Sequence, residues 1–83
     1  MYTDEMKRAF RSITSPKNFK VDIIDNENFL VVRADEKQFF NLVHDEKIEA
    51  VEYMIKVKKA LEENGAIVLL MRSEEHTSEL QSH

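Results

Sequence analysis

Residues Asp45–Met71 read DEKIEAVEYMIKVKKALEENGAIVLLM, which predicts a helix, a glycine stop and a strand. Asp45 and Glu46 fall in the first turn, where carboxylates oppose the positive end of the helix dipole. Val43 and Ile48 have the spacing of a hydrophobic staple around a cap at His44. Asn64-Gly65 holds the only glycine of the chain, where a left-handed C′ residue is wanted. The helix is therefore expected from about Asp45 to Asn64.

At about 100° per residue, Glu49, Glu52, Lys56, Lys59 and Glu63 share one stripe, with Glu52 and Lys56 as an i, i+4 pair in the favourable order. Ile48, Ala50, Val51, Tyr53, Met54, Ile55, Val57, Ala60 and Leu61 occupy most of the remaining circumference. So wide an apolar arc needs cover on more than one side. The unbroken apolar run Ala66–Met71 predicts a strand buried on both faces, at the centre of a sheet.

Upstream, Tyr2, Met6, Ala9, Phe10 and Ile13 recur on one face of a helix over Thr3 to about Ile13. Asp4 and Glu5 begin it, and Pro16 ends it by pushing the preceding residue out of the helical region. Phe19–Ile24 and Phe29–Ala34 read as two strands joined by the polar turn Asp25-Asn-Glu-Asn28. A hairpin pairing Ile24 with Phe29 places Phe19, Val21, Ile23, Leu30, Val32 and Ala34 on one face. The other face then carries Lys20, Asp22, Ile24, Phe29, Val31 and Arg33. Asp35 followed three residues on by Gln38 is a variant of the capping box and predicts a helical turn over Glu36–Leu42. A third strand through Gln38–Val43 is the alternative. The element order is α-β-β-α-β, an α+β domain, with an expected sheet order of 2-1-3, antiparallel neighbours and the 45–64 helix on the Phe19 face.

Eighty-three residues allow one domain near the lower limit for a stable core. The chain has no cysteine, so neither a disulfide nor a thiolate site can hold it together. No stretch is long and apolar enough to span a membrane, and the charged start MYTDEMKRAF has no signal-peptide core, so the cytoplasm is the expected setting.

The last twelve residues, Arg72-Ser-Glu-Glu-His-Thr-Ser-Glu-Leu-Gln-Ser-His83, resemble the in-frame translation of a common sequencing-library adapter. The resemblance implies a native domain over residues 1–71 and a non-native, disordered tail over 72–83. The tail has one large apolar residue, Leu80, which cannot offset its ordering entropy. Without it the chain carries eleven basic and thirteen acidic residues, a net −2 in place of −4.

Little in the chain suggests catalysis. His44 is the only candidate general base before the tail, and neither a serine nor a cysteine stands in a recognisable arrangement with it. His44-Asp45-Glu46 with Glu49 matches no zinc spacing, and Asp25–Asn28 lacks the glycine and closing glutamate of a calcium loop. One glycine cannot build a phosphate cradle. No metal, cofactor or catalytic residue is expected.

Two surfaces remain. Met6, Phe10, Ile24, Phe29, Val31, Phe39 and Phe40 are candidate interface residues, because one short helix cannot cover both the sheet's back and the flank of the 45–64 helix. Lys7, Arg8, Arg11, Lys17, Lys20 and Arg33 form a candidate nucleic-acid patch, although a net acidic chain and the absence of an RNA-binding motif weigh against it. The expected function is that of a non-enzymatic protein-binding or regulatory module acting through an apolar surface and self-associating as a dimer. Its size and acidity would suit a phage or mobile element. A small nucleic-acid-associated protein is the alternative.

Overall fold

The computed structural model describes residues 1–73. Of the adapter-like segment Arg72–His83, Arg72 and Ser73 end the last strand rather than beginning a disordered tail, and residues 74–83 lie outside the described residues.

Thr3 caps the first helix, α1 (Asp4–Arg11), its hydroxyl oxygen accepting from the Met6 N–H at 3.2 Å. The acidic first turn and basic last turn both suit the dipole. Strands β1 (Val21–Asp25) and β2 (Leu30–Asp35) follow, then a short helix α2 (Glu36–Phe40). Asp35 caps α2, its carboxylate accepting from the Lys37 and Gln38 N–H groups at 2.9 and 3.4 Å. Gln38 does not reach back to complete a box; its Oε1 accepts instead from the Lys20 N–H at 2.9 Å, which ties the segment before β1 to α2. The helical reading of this segment thus holds over the strand alternative, and the helix ends at Phe40, two residues earlier than the cap pattern predicts.

Helix α3 (His44–Glu63) begins one residue before its expected start. Val43 is the N-cap and has no side-chain acceptor, so only the reverse half of a capping box forms: Glu46 Oε1 accepts from the Val43 N–H at 3.1 Å. The stop lies at the predicted glycine. Gly65 has φ +97°, its N–H donates to Glu62 O at 3.0 Å, and Ala66 N–H donates to Leu61 O at 3.1 Å. That pair of bonds is a Schellman motif. A Cβ on Gly65 would meet no atom within 4 Å, so the cost of adding one is conformational rather than steric. Gly65→Ala should lower stability by about 1 kcal/mol. A neutral result in urea unfolding would show that α3 does not need its left-handed terminus.

Strand β3 (Val68–Ser73) closes a three-stranded mixed sheet in the order β1-β2-β3. The expected order 2-1-3 is wrong, and so is the central place given to Ala66–Met71. β3 pairs parallel to β2 and is an edge strand; β2 is the central one. The physical reason lies in the two hairpin strands. Leu30, Val31, Val32 and Ala34 of β2 are all buried by having a strand on each side, whereas Val21, Ile23 and Ile24 of β1 are only half-buried and its Asp22 and Asp25 are exposed, as suits an edge. The connection from β2 through α2 and α3 returns the chain in parallel beside β2 itself.

The hairpin register also differs from the expected one. Ile23 pairs with Val32 and Val21 with Ala34, a slip of two residues from the predicted partners. Since side chains alternate with period two, a slip of two keeps every residue on its face, and hydrophobic pattern cannot detect it. The turn detects it: Asp25 pairs with Leu30, leaving Asn26–Phe29 as the loop, closed by the Asn26 N–H donating to Phe29 O at 2.9 Å. On the far side of the sheet Asp22 and Arg33 are direct partners, joined at 3.2 Å. This pair is exposed and adds a few tenths of a kcal/mol at about the level of other surface pairs.

The core forms on the predicted Phe19/Val21/Ile23 face. Leu30, Val32, Ala34 and Val68 of the sheet meet Ala50, Tyr53, Met54, Val57 and Leu61 of α3 and Met6 of α1. Phe19, just before β1, is 1% exposed and stands edge-on to both Phe39 and Tyr53, with ring centroids 6.1 and 6.4 Å away. Both helices with core residues of their own therefore lie on one side. Ile24, Phe29 and Val31, on the other side, are absent from this cluster.

Burial raises the phenol pKa of Tyr53 above its ordinary value, and Tyr2 adds to the shift. For an acid whose folded pKa is raised, the stabilisation is complete below the unfolded pKa and is lost as pH climbs through the folded one. The relevant window opens near pH 10. Tyr53→Phe should flatten the decline in stability between about pH 9.5 and 11. A decline unchanged by the substitution would mean that Tyr53 ionises as freely folded as unfolded.

Candidate functional site

The polar groups considered for chemistry are occupied structurally or stand apart. His44 is an exposed first-turn residue of α3. Glu46 bonds the Val43 N–H, and Asp35 caps α2. Asp25 takes the Met1 ammonium group and the Tyr2 N–H, and the ammonium contact above all holds its carboxyl below the ordinary range. Among the described residues, no three histidine, cysteine or carboxylate side chains come close enough to hold a metal ion. No helix among them is long and apolar enough to cross a membrane.

The candidate basic residues do not form one patch. Arg33 projects from the side of the sheet opposite the helices, where it meets Asp22. Arg11 and Lys20 line one shallow groove beside Phe10 and Tyr53. Arg8 lies 4.0 Å from Glu5, and the Lys7 ammonium stands over the Tyr2 ring at 5.6 Å. Lys17 is exposed in the turn after Pro16. The sheet thus separates Arg33 from the cations of α1.

The candidate interface residues divide more informatively. Met6 is no interface residue: it is 2% exposed, locked between α1 and the core. The apolar face of α1 turned inward because α3 offered it a flank. Phe10 and Phe39 are half-buried and pack on the core, whereas Phe40 is 74% exposed. The Lys47 ammonium stands 6.0 Å from the Phe39 ring and 5.5 Å from the Phe40 ring, a contact worth about 0.5–1 kcal/mol at an exposed site. Ile24, Phe29 and Val31 lie on the sheet face that no helix covers. Val31 is nonetheless buried, because its in-register neighbours Ile24 and Leu69 flank it on the central strand.

The uncovered flank of α3 was expected from the sequence, but the apolar edge strand beside it was not. Along β3, Ile67, Leu69, Leu70 and Met71 are 66%, 50%, 42% and 45% exposed. Alternation places Leu69 and Met71 on the open sheet face beside Val31 and Arg33, and Leu70 on the helix side beside Val32. There Leu70 lines a groove with Phe39, Val51, Met54 and Ile55 of the α3 flank. Ile48, Val51 and Ile55 are exposed in turn. Among the described residues, the two apolar surfaces meet at the outer edge of β3. The wide arc of α3 was the available signal, since an arc that wide requires cover on a second side.

Comparison with protein-family models, with curated proteins and with solved structures found no match to this chain.

Proposed function

We propose that this protein is a small, non-enzymatic binding or regulatory module that acts through its apolar surface and associates with itself. The observation that carries the reading is the set of exposed apolar side chains at the C-terminal strand and its helix, Ile67, Leu69, Leu70 and Met71 together with Ile48, Val51 and Ile55, of which Leu70, Val51 and Ile55 share one groove. Exposed apolar surface of this kind on a small domain marks an interface. A symmetric pair is the commonest way for one chain to bury it. No cofactor enters this reading, and a cysteine-free chain suits the cytoplasm.

Sedimentation of the full chain at tens of micromolar tests it. The expected result is a concentration-dependent dimer. A clean monomer that binds no apolar dye would overturn the proposal. Binding to DNA or RNA at low salt, lost steeply as salt rises, would instead favour a nucleic-acid-associated role for the basic residues.

A further inference from the structure

We propose that the groove between the end of α1 and the start of β1 binds a carboxylate side chain borne on an apolar stretch of a partner peptide, with Arg11 and Lys20 as its cations. The groove holds about 330 Å³. Its wall is apolar: Phe10, Ile13 and Val21 are half-buried and Tyr53 is buried. Arg11 and Lys20 are exposed beside that wall, and no acidic residue lines it. The site lies at the β1 edge, with β2 between it and β3, and none of its lining comes from β3. It is separate from the apolar surface of β3 and α3 and does not depend on self-association.

The backbone carrying both cations is held. Arg11 is the last residue of α1, whose next residue, Ser12, bonds back to Arg8 O at 3.0 Å. Lys20 follows the buried Phe19, and its N–H donates to Gln38 Oε1 at 2.9 Å. Positions fixed before binding lose less entropy when a ligand arrives. Among the described residues neither cation has an ion-pair partner, whereas Arg8 faces Glu5, Arg33 faces Asp22 and Lys58 faces Glu62. Lys17, in the turn after Pro16, adds a further unmatched positive charge to this segment.

Two cations over an apolar wall select an anion carried on an apolar body. A guanidinium takes a carboxylate through two parallel hydrogen bonds, and the wall takes the neighbouring apolar residue. Inorganic phosphate would gain nothing from Phe10, Ile13 and Tyr53. A nucleic acid needs cations along its whole path. Here the path meets acid: on the other side of Ser15, which lines both, a second groove of about 280 Å³ carries Glu49 and Glu52 against the one cation Lys56. A single carboxylate therefore fits where a polyanion does not.

Titration of the isotope-labelled full chain with the peptide acetyl-Ser-Leu-Glu-Leu-Ser-amide, followed by NMR, tests the site. The peptide should bind with a Kd of about 1 mM or tighter and shift amides centred on residues 10–21. Its glutamine counterpart should bind at least about tenfold more weakly. R11E/K20E, folded by circular dichroism, should lose the glutamate peptide and gain the lysine counterpart, while K59Q, outside the groove, should behave as wild type. Equal binding of the glutamate and glutamine peptides, or no shift at about 10 mM, would overturn the proposal. Displacement of the peptide by equimolar phosphate would make this a simple anion site, and tighter, salt-sensitive binding of an oligonucleotide at the same amides would make it a nucleic-acid contact. Either result also overturns it, and sedimentation reports on self-association independently of all of them.

Discussion

Replacing Phe19 by alanine should destabilise the protein by about 3–5 kcal/mol, the range for removing a fully buried aromatic ring. Phe19 lies outside regular structure, two residues before β1, yet it is 1% exposed and among the largest fully buried side chains. It joins three elements: Phe39 of α2, Tyr53 of α3 and the start of the hairpin. Two edge-to-face ring contacts would be lost along with the buried area, and neither neighbour is free to collapse into the space because each is held by its own helix. A domain of this size has a total stability on the order of 5–10 kcal/mol, so the variant should be partly unfolded at room temperature. Urea unfolding measures it. A loss below about 1.5 kcal/mol would be the signature of a peripheral residue and would contradict this packing.

Val32→Asp should have a comparable or larger effect, on the order of 5 kcal/mol at neutral pH. Val32 is 0% exposed on the central strand, with Ile23 and Leu70 as its in-register neighbours and no cation among the described buried residues. A carboxylate there would have its pKa raised by desolvation above the unfolded value near 3.9. Between those two values the unfolded chain releases the proton and the folded chain retains it, so the added destabilisation grows as pH rises. The difference between variant and wild type should therefore shrink as pH is lowered from 7 toward 4.5. A penalty independent of pH would place position 32 in contact with water.

These effects depend on features that were unevenly legible in the sequence. The α3 stop at Gly65, the cap at Asp35, the choice of inner face and the identity of its residues all follow from local rules, in which a spacing or a single residue type dictates the backbone. Strand order and register do not. The slip of two in the hairpin leaves every face unchanged, so only the loop from Asn26 to Phe29 could reveal it. The run Ala66–Met71 has the composition of a strand buried on both faces, and the chain places it at an edge.

The sequence by itself determined that this is a small α+β domain with a Phe19-centred core on one side of a sheet, because burial periodicity is a local property of each element. The tertiary structure alone decided which strand is central and where the apolar surface lies. Leu69, Leu70 and Met71 are hydrophobic in any arrangement. Whether they become core or interface depends on what stands beside β3, and neighbours across a sheet are set by the whole chain's path rather than by any stretch of it.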